Sequence, residues 1–225
     1  MNLAIIMNDN SYAGREYLSA MKKAGIKTDV IAIGSFPEVN ESEDNRCGNL
    51  WKPDSMKTLS EIFSVIRFQS LKDDKLIEFL SMKKYDLGIQ GGTGILKENI
   101  INEFRLGILN FHPGDIPEYR GCSAPEWQLH DNRSVVSTCH LLDQGIDTGK
   151  IIAKKTLDLS VKSYEAFRAG VYPQTANFLV EILSEIIVYN GFLVTPQIQD
   201  ESKAVYRKYI GDVLITDLKN KFPLS

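Results

Sequence analysis

The stretch Leu3–Ile33, LAIIMNDNSYAGREYLSAMKKAGIKTDVIAI, changes its hydrophobic period twice. Leu3 to Met7 is an unbroken apolar run, followed by the polar turn Asn8-Asp9-Asn10. A short continuous run of this kind suits a strand buried on both faces. From Arg15 to Ala24 the period becomes helical, with Tyr17, Leu18 and Met21 on one side and Gly25 placed to cap the C-terminus. Thr28 to Ile33 returns to strand character. Strand, helix and strand at this spacing predict a βαβ unit, which requires a parallel pair.

The same alternation continues. Phe63–Phe68, Tyr85–Ile89 and Gly107–Phe111 read as strands, with helices expected over Lys72–Met82 and Glu98–Phe104. Asp73 and Asp74 suit the first turn of the former. Further on, Ser123–His130 reads as a short helix, and Val135–Leu142 and Ile151–Leu159 as strands. A long helix is expected from an N-cap at Ser163 to about Tyr189, burying Phe167, Val171, Phe178, Leu179, Ile182, Leu183 and Ile186. Pro173 should kink or restart it. The expected fold is α/β: a Rossmann-like, mostly parallel twisted sheet with helices on both faces. The catalytic domain is expected over residues 1–190 and a short C-terminal extension over 191–225, with one amphipathic piece, Ile210–Leu218.

Composition narrows the function. With 26 Lys and Arg against 29 Asp and Glu, the net charge is −3, and the cations are scattered rather than striped. This speaks against nucleic-acid binding driven by phosphate contacts. No apolar run approaches bilayer length, and the N-terminus lacks the basic start of a signal peptide, so a cytoplasmic protein without membrane contact is expected. Cys47, Cys122 and Cys139 lack metal-ligand spacing and are expected to be buried or inert. The turn NDNSYAG has no G-x-G-x-x-G, so a nicotinamide cofactor is not expected there. Gly34–Thr58, with Pro37 and the polar run Glu38–Asn45, reads as a surface excursion whose end, Leu50-Trp51, packs onto the body.

The candidate chemistry lies in Gly107–Ile152. Asn110 and His112, two apart on a strand, share a face. An Asn amide donates to a developing oxyanion, and a His moves a proton near neutral pH. Asp147, on the loop beyond the next strand, is placed to orient that imidazole. No activated Ser or Cys is evident, so the nucleophile belongs to the substrate. Asp147-Thr148-Gly149 also has the form of an aspartic-protease triplet. Only one is present, and that chemistry needs two carboxylates sharing a proton. His112, His130 and His140 with Asp147 lack the pairings of a metal site.

Order and spacing add more than any one piece. Asn110-Phe111-His112-Pro113, Ile116-Pro117-Glu118-Tyr119-Arg120-Gly121, Ala124-Pro125 and Asp143-Gln144-Gly145-Ile146-Asp147-Thr148-Gly149 follow one another here. This resembles the 10-formyltetrahydrofolate-dependent formyltransferase family, whose pattern runs N-x-H-P, L-P-x-Y-R-G, a-P, M-D-x-G-x-D-T-G. The resemblance covers roughly the first 190 residues. It implies catalytic roles for Asn110, His112 and Asp147, with 10-formyltetrahydrofolate as co-substrate and no metal. It further implies that the pterin lies against the backbone of two loops, Gly92, Gly94, Ile95 and Leu96 on one and Leu142, Asp143, Gln144, Gly145 and Ile146 on the other. Two departures stand out. Gly114-Asp115-Ile116-Pro117 replaces the usual Ser-Leu-Leu-Pro, and Leu142 replaces the Met.

Within this family, methionyl-tRNA formyltransferases carry a further C-terminal tRNA domain. Glycinamide ribonucleotide enzymes carry a phosphate loop after the first strand, which NDNSYAG does not supply. The acceptor expected is therefore the amine of a nucleotide-linked amino sugar, of the 4-amino kind. A non-catalytic folate-binding relative is the non-enzyme alternative. The tail aromatics Tyr206 and Tyr209 suggest a homodimer surface.

Overall fold

A computed structural model describes residues 1–34, 43–160 and 162–223. Pro37 and most of the polar run of the 34–58 excursion lie outside the described residues. The βαβ unit is present. β1 (Leu3–Asn8) pairs parallel with β2 (Asp29–Ile33) across helix α1 (Tyr12–Ala24). The helix starts three residues earlier than its apolar period, because the Ser11 hydroxyl accepts from the Gly14 N–H. Gly25 closes it in the left-handed conformation, φ 69°.

After α2 (Met56–Ser60) come β3 (Ser64–Phe68), α3 (Asp74–Lys83), β4 (Leu87–Gln90), α4 (Glu98–Ile101) and β5 (Ile108–His112). Asp73 proves to be the N-cap of α3, leaving Asp74 in its first turn. The two-residue β6 (Arg120–Gly121), α5 (Ala124–His130), β7 (Val136–Leu141) and β8 (Ile151–Thr156) follow. The sheet order is β3-β2-β1-β4-β5-β7-β8. The first five strands are parallel, while β7 and β8 run antiparallel to their neighbours. The expected mostly parallel sheet is thus observed, with two antiparallel strands at one side.

Alternation along β1 splits the core. Leu3, Ile5 and Met7 pack with Tyr17, Leu18 and Met21 of α1 and with Phe178, Leu179 and Ile182 of the long helix α6 (Tyr164–Tyr189). Ala4 and Ile6 face Leu76, Leu80 and Ile100 on the other side. Helices therefore cover both faces. Ser163 caps α6 as expected, accepting from the Ala166 N–H. The helix does not restart at Pro173: α6 runs through it as one helix, since apolar residues on both sides of the proline are held in the core. Burial of Phe167 and Val171 before it and Phe178 to Ile186 after it outweighs the loss of one backbone hydrogen bond.

The described end of the 34–58 excursion is anchored. Trp51 stacks on Tyr172 at 4.2 Å, and Asp44 accepts from Arg46, Arg168 and Tyr172. The tail returns along the body. β9 (Tyr206–Arg207) pairs parallel with β6, and α7 (Asp212–Asn220) packs Ile215 and Leu218 against Tyr164 and Phe167. Cys47 and Cys139 are buried, and Cys122 is exposed. Cys122 follows β6 directly, where the two-stranded ribbon lies on the surface. No helix among the described residues is long and apolar enough to cross a membrane.

Candidate active site

β5 ends at the carboxyl edge of the sheet, where it meets β7. Leu109 and Phe111 enter the core beside α1 and α6, so Asn110 and His112 project from the opposite face. Tyr17 anchors this point by donating its hydroxyl to the Phe111 carbonyl at 3.2 Å. Asp147 lies on the loop between β7 and β8, with φ 56°. Asp tolerates this left-handed conformation better than most residues.

The three residues converge. Asp147 Oδ2 accepts from the Gly121 N–H at 2.8 Å and lies 3.5 Å from His112 Nδ1. Its Oδ1 lies 3.4 Å from Asn110 Nδ2. His112 Nε2 is 2.7 Å from the Tyr119 carbonyl. A carbonyl only accepts, so Nε2 carries the hydrogen and Nδ1 is left facing the carboxylate. His112 is 6% exposed. Burial pushes its pKa below the ordinary imidazole value; the Asp147 charge and the Tyr119 carbonyl oppose this without reversing it. For Asp147, burial acts to raise the carboxyl, but His140, His112 and the Gly121 N–H outweigh it and bring the pKa to about 2.

His140, fully buried on β7, was not assigned a role from sequence beyond the rejected metal cluster. Its Nδ1 donates to the Leu141 carbonyl at 2.8 Å, so in the neutral ring Nε2 accepts from Asn110 Nδ2 at 3.1 Å. That bond turns the Asn110 amide so that its N–H groups face the site. A buried histidine must find a partner, but the strand around it, with Ser137 and Thr138, does not show which. His130 is elsewhere, against Asp131. Among the described residues no group of three or more His, Cys, Asp or Glu is arranged to hold a metal. Asp115, the unusual carboxylate, pairs with Lys154 at 2.6 Å.

Beside the triad opens a cavity of about 230 Å³. Gln90 and Thr93 to Leu96 form one wall, Asn110 the floor, and Leu142, Asp143 and Gly145 to Asp147 the other wall. Of the residues of the two loops, Gly94, Ile95, Leu96, Leu142, Asp143, Gly145 and Ile146 line this cavity. Gly92 and Gln144 are not on the lining; Gly92 lies close to Ser11, and the Gln144 amide donates to Glu98. Gln90 and Thr93 join the lining instead. A larger hollow of 540 Å³, around Asp29 and Tyr85, lies at the opposite edge of the sheet. It holds none of these groups, and open α/β sheets bind ligands beyond the carboxyl ends of their strands.

Residues 1–180 match the model of the formyl transferase family. The chain belongs to that family. The chain is 27% identical over 201 residues to a methionyl-tRNA formyltransferase of Chloroflexus aurantiacus. The match takes in 86% of this chain and 61% of that relative. Among solved structures, a 4-N formyltransferase from Francisella tularensis superposes with a TM-score of 0.61 at 21% identity, covering 92% of this chain and 76% of that one. An N-formyltransferase from Helicobacter canadensis, in complex with folinic acid and dTDP-3-aminofucose, gives 0.63 at 17% identity, covering 92% and 70%. At these identities the structures speak for a shared fold. The formyl transferase match ends at residue 180, so the tail beyond α6, including Gln199, lies outside it. Gln199 nevertheless reaches the site, its amide donating to the carbonyls of Asp147 and Gly149 at 2.9 and 2.7 Å.

Proposed function

We propose that this formyl transferase moves a formyl group from 10-formyltetrahydrofolate to the amine of a nucleotide-linked amino sugar, with Asn110, His112 and Asp147 as its catalytic residues. The observation that carries the reading is the meeting of these three at one cavity, which Asn110 and Asp147 line while His112 sits against the Asp147 carboxylate. The cavity fits a flat heterocycle. Ile95 and Ile146, 65% and 50% exposed, offer apolar side chains on its two opposing loops. The folate supplies the formyl group, and its nitrogen leaves by taking up, through His112, the proton that the amine sheds.

The protein's own part follows from the geometry. Asn110 Nδ2 gives up its long 3.4 Å contact with Asp147 and donates to the formyl oxygen as charge develops there. Its other hydrogen stays on His140, so the amide does not rotate. The attacking amine must be neutral, and bond formation makes it shed a proton. Nδ1 is the basic atom of His112, since Nε2 is held on Tyr119. A proton arriving on Nδ1 meets the ionised Asp147, which stabilises the imidazolium so formed. Burial keeps His112 neutral beforehand and ready to accept.

In favour of the amino-sugar acceptor is the Helicobacter N-formyltransferase of the same fold, whose structure is a complex with dTDP-3-aminofucose. A second reading, a charged tRNA as acceptor, has the Chloroflexus relative in its favour. Incubation with 10-formyltetrahydrofolate and a panel of nucleotide-linked amino sugars, glycinamide ribonucleotide and methionyl-tRNA separates these. A mass gain of one formyl group on a sugar nucleotide is expected. A gain on tRNA or glycinamide ribonucleotide alone refutes the acceptor assigned here.

A further inference from the structure

Asp147 is held in the left-handed conformation, at φ 56°, which Asp adopts more readily than most L-residues but which is still uncommon. Its side chain is tied down by the Gly121 N–H, but that bond does not fix the loop backbone. The backbone is held from the tail. Gln199 is 6% exposed, and its Nε2 donates to both the Asp147 and Gly149 carbonyls. The amide has one orientation available. Its Oε1 accepts from Arg120 Nε and Nη2 at 3.1 and 2.7 Å, and a guanidinium only donates. The Nε2 end must therefore face the loop. Arg120 is fully buried and is itself fixed by Glu201, at 2.5 and 3.0 Å. Two residues earlier, Gln197 and Ile151 exchange backbone hydrogen bonds at 2.7 and 2.8 Å, anchoring the segment to the start of β8.

We propose that Gln199 is a positioning residue for formyl transfer: it holds the backbone of the Asp147 loop so that the carboxylate stays aimed at His112 and Asn110. The site is thus completed by a residue beyond the stretch that matches the family. Arg120 acts through Gln199, presenting the amide with its donors toward the loop. The catalytic consequence rests on the formyl-transfer reading; the positioning itself does not.

The test uses Gln199→Glu in the full chain. The substitution keeps size and the Arg120 contact, and removes both donors to the loop carbonyls. With Asp147 no longer held beside His112, kcat is expected to fall roughly tenfold or more while KM for the formyl donor changes little. The titration of His112, followed by NMR without substrate, reads the geometry independently of turnover. His112 faces Asp147 and His140, and loss of the Asp147 charge moves its midpoint to lower pH. A purely structural role would lower the melting temperature and leave that midpoint in place. If Gln199→Glu folds poorly, Gln199→Ala is read in the same way, with water filling the vacated space. An unchanged His112 midpoint in the folded variant overturns the proposal, even if no acceptor is turned over. A lowered midpoint without turnover on any acceptor upholds the positioning and refutes the reaction.

Discussion

Replacing Asp147 by Asn isolates the charge in this site. Asn has nearly the same shape, tolerates the left-handed backbone at φ 56°, and can still accept from the Gly121 N–H. What disappears is one unit of negative charge 3.5 Å from His112 Nδ1. For unit charges at that separation, with an effective dielectric of about 20, the interaction is roughly 4–5 kcal/mol. This term counts fully only when His112 becomes an imidazolium, as it takes the amine proton. If the neutral amide dipole and entering water recover about half of it, the barrier rises by about 2–3 kcal/mol and kcat falls by roughly 10²-fold. Because the effect is confined to the transition state, KM for both substrates should change little. Steady-state formylation of the accepted amine, with circular dichroism to verify the fold, measures this. An Asp147→Asn enzyme that keeps more than about a tenth of wild-type kcat would refute the role given to the carboxylate.

Asn110→Ala removes the donor to the formyl oxygen and should lower kcat by about 10²–10³-fold, measured under donor saturation with the fold intact. Gly114→Ala would place a methyl group 2.6 Å from both the Tyr119 oxygen and His112 Cδ2, forcing the ring off its seat. A drop in kcat of roughly tenfold or more is expected, and unchanged kcat would show that the seat is not needed. Stability should also respond to His112. Its folded pKa is lowered, so the unfolded chain takes up a proton below about pH 6.5 that the folded chain resists. The contribution is present above about pH 6.5 and is lost as pH falls toward the folded value. Urea unfolding between pH 5 and about 7.5 should show this slope in the wild type and a smaller one in His112→Gln.

The parallel half of the sheet was legible because each strand there is a continuous apolar run separated from the next by a helix. The two antiparallel strands were legible as strands, but not in direction: Val136–Leu141 alternates in the same way whichever way its neighbour runs. The start of α1 was missed because Ser11 and Tyr12 belong to a polar turn by composition, and only the cap bond places them on the helix. Whether α6 restarts at Pro173 could not be read locally, because the burial on both sides that keeps it one helix is tertiary. Asn110, His112 and Asp147 could be found because strand periodicity and motif order put them in one short span. His140 and Gln199 could not. Their roles depend on which atom each imidazole and amide turns toward the site, and for Gln199 the partners lie about 50–80 residues away.

Ile95 and Ile146 leave much of their apolar surface in water on either side of the cavity. Closing a flat ring between them would remove that surface from solvent, and apolar burial lowers heat capacity by about 0.45 cal/mol/K for each Å². Donor binding should therefore become more exothermic as temperature rises. Calorimetric titrations at several temperatures would show it as a slope on the order of tens of cal/mol/K, reduced when either isoleucine is replaced by serine.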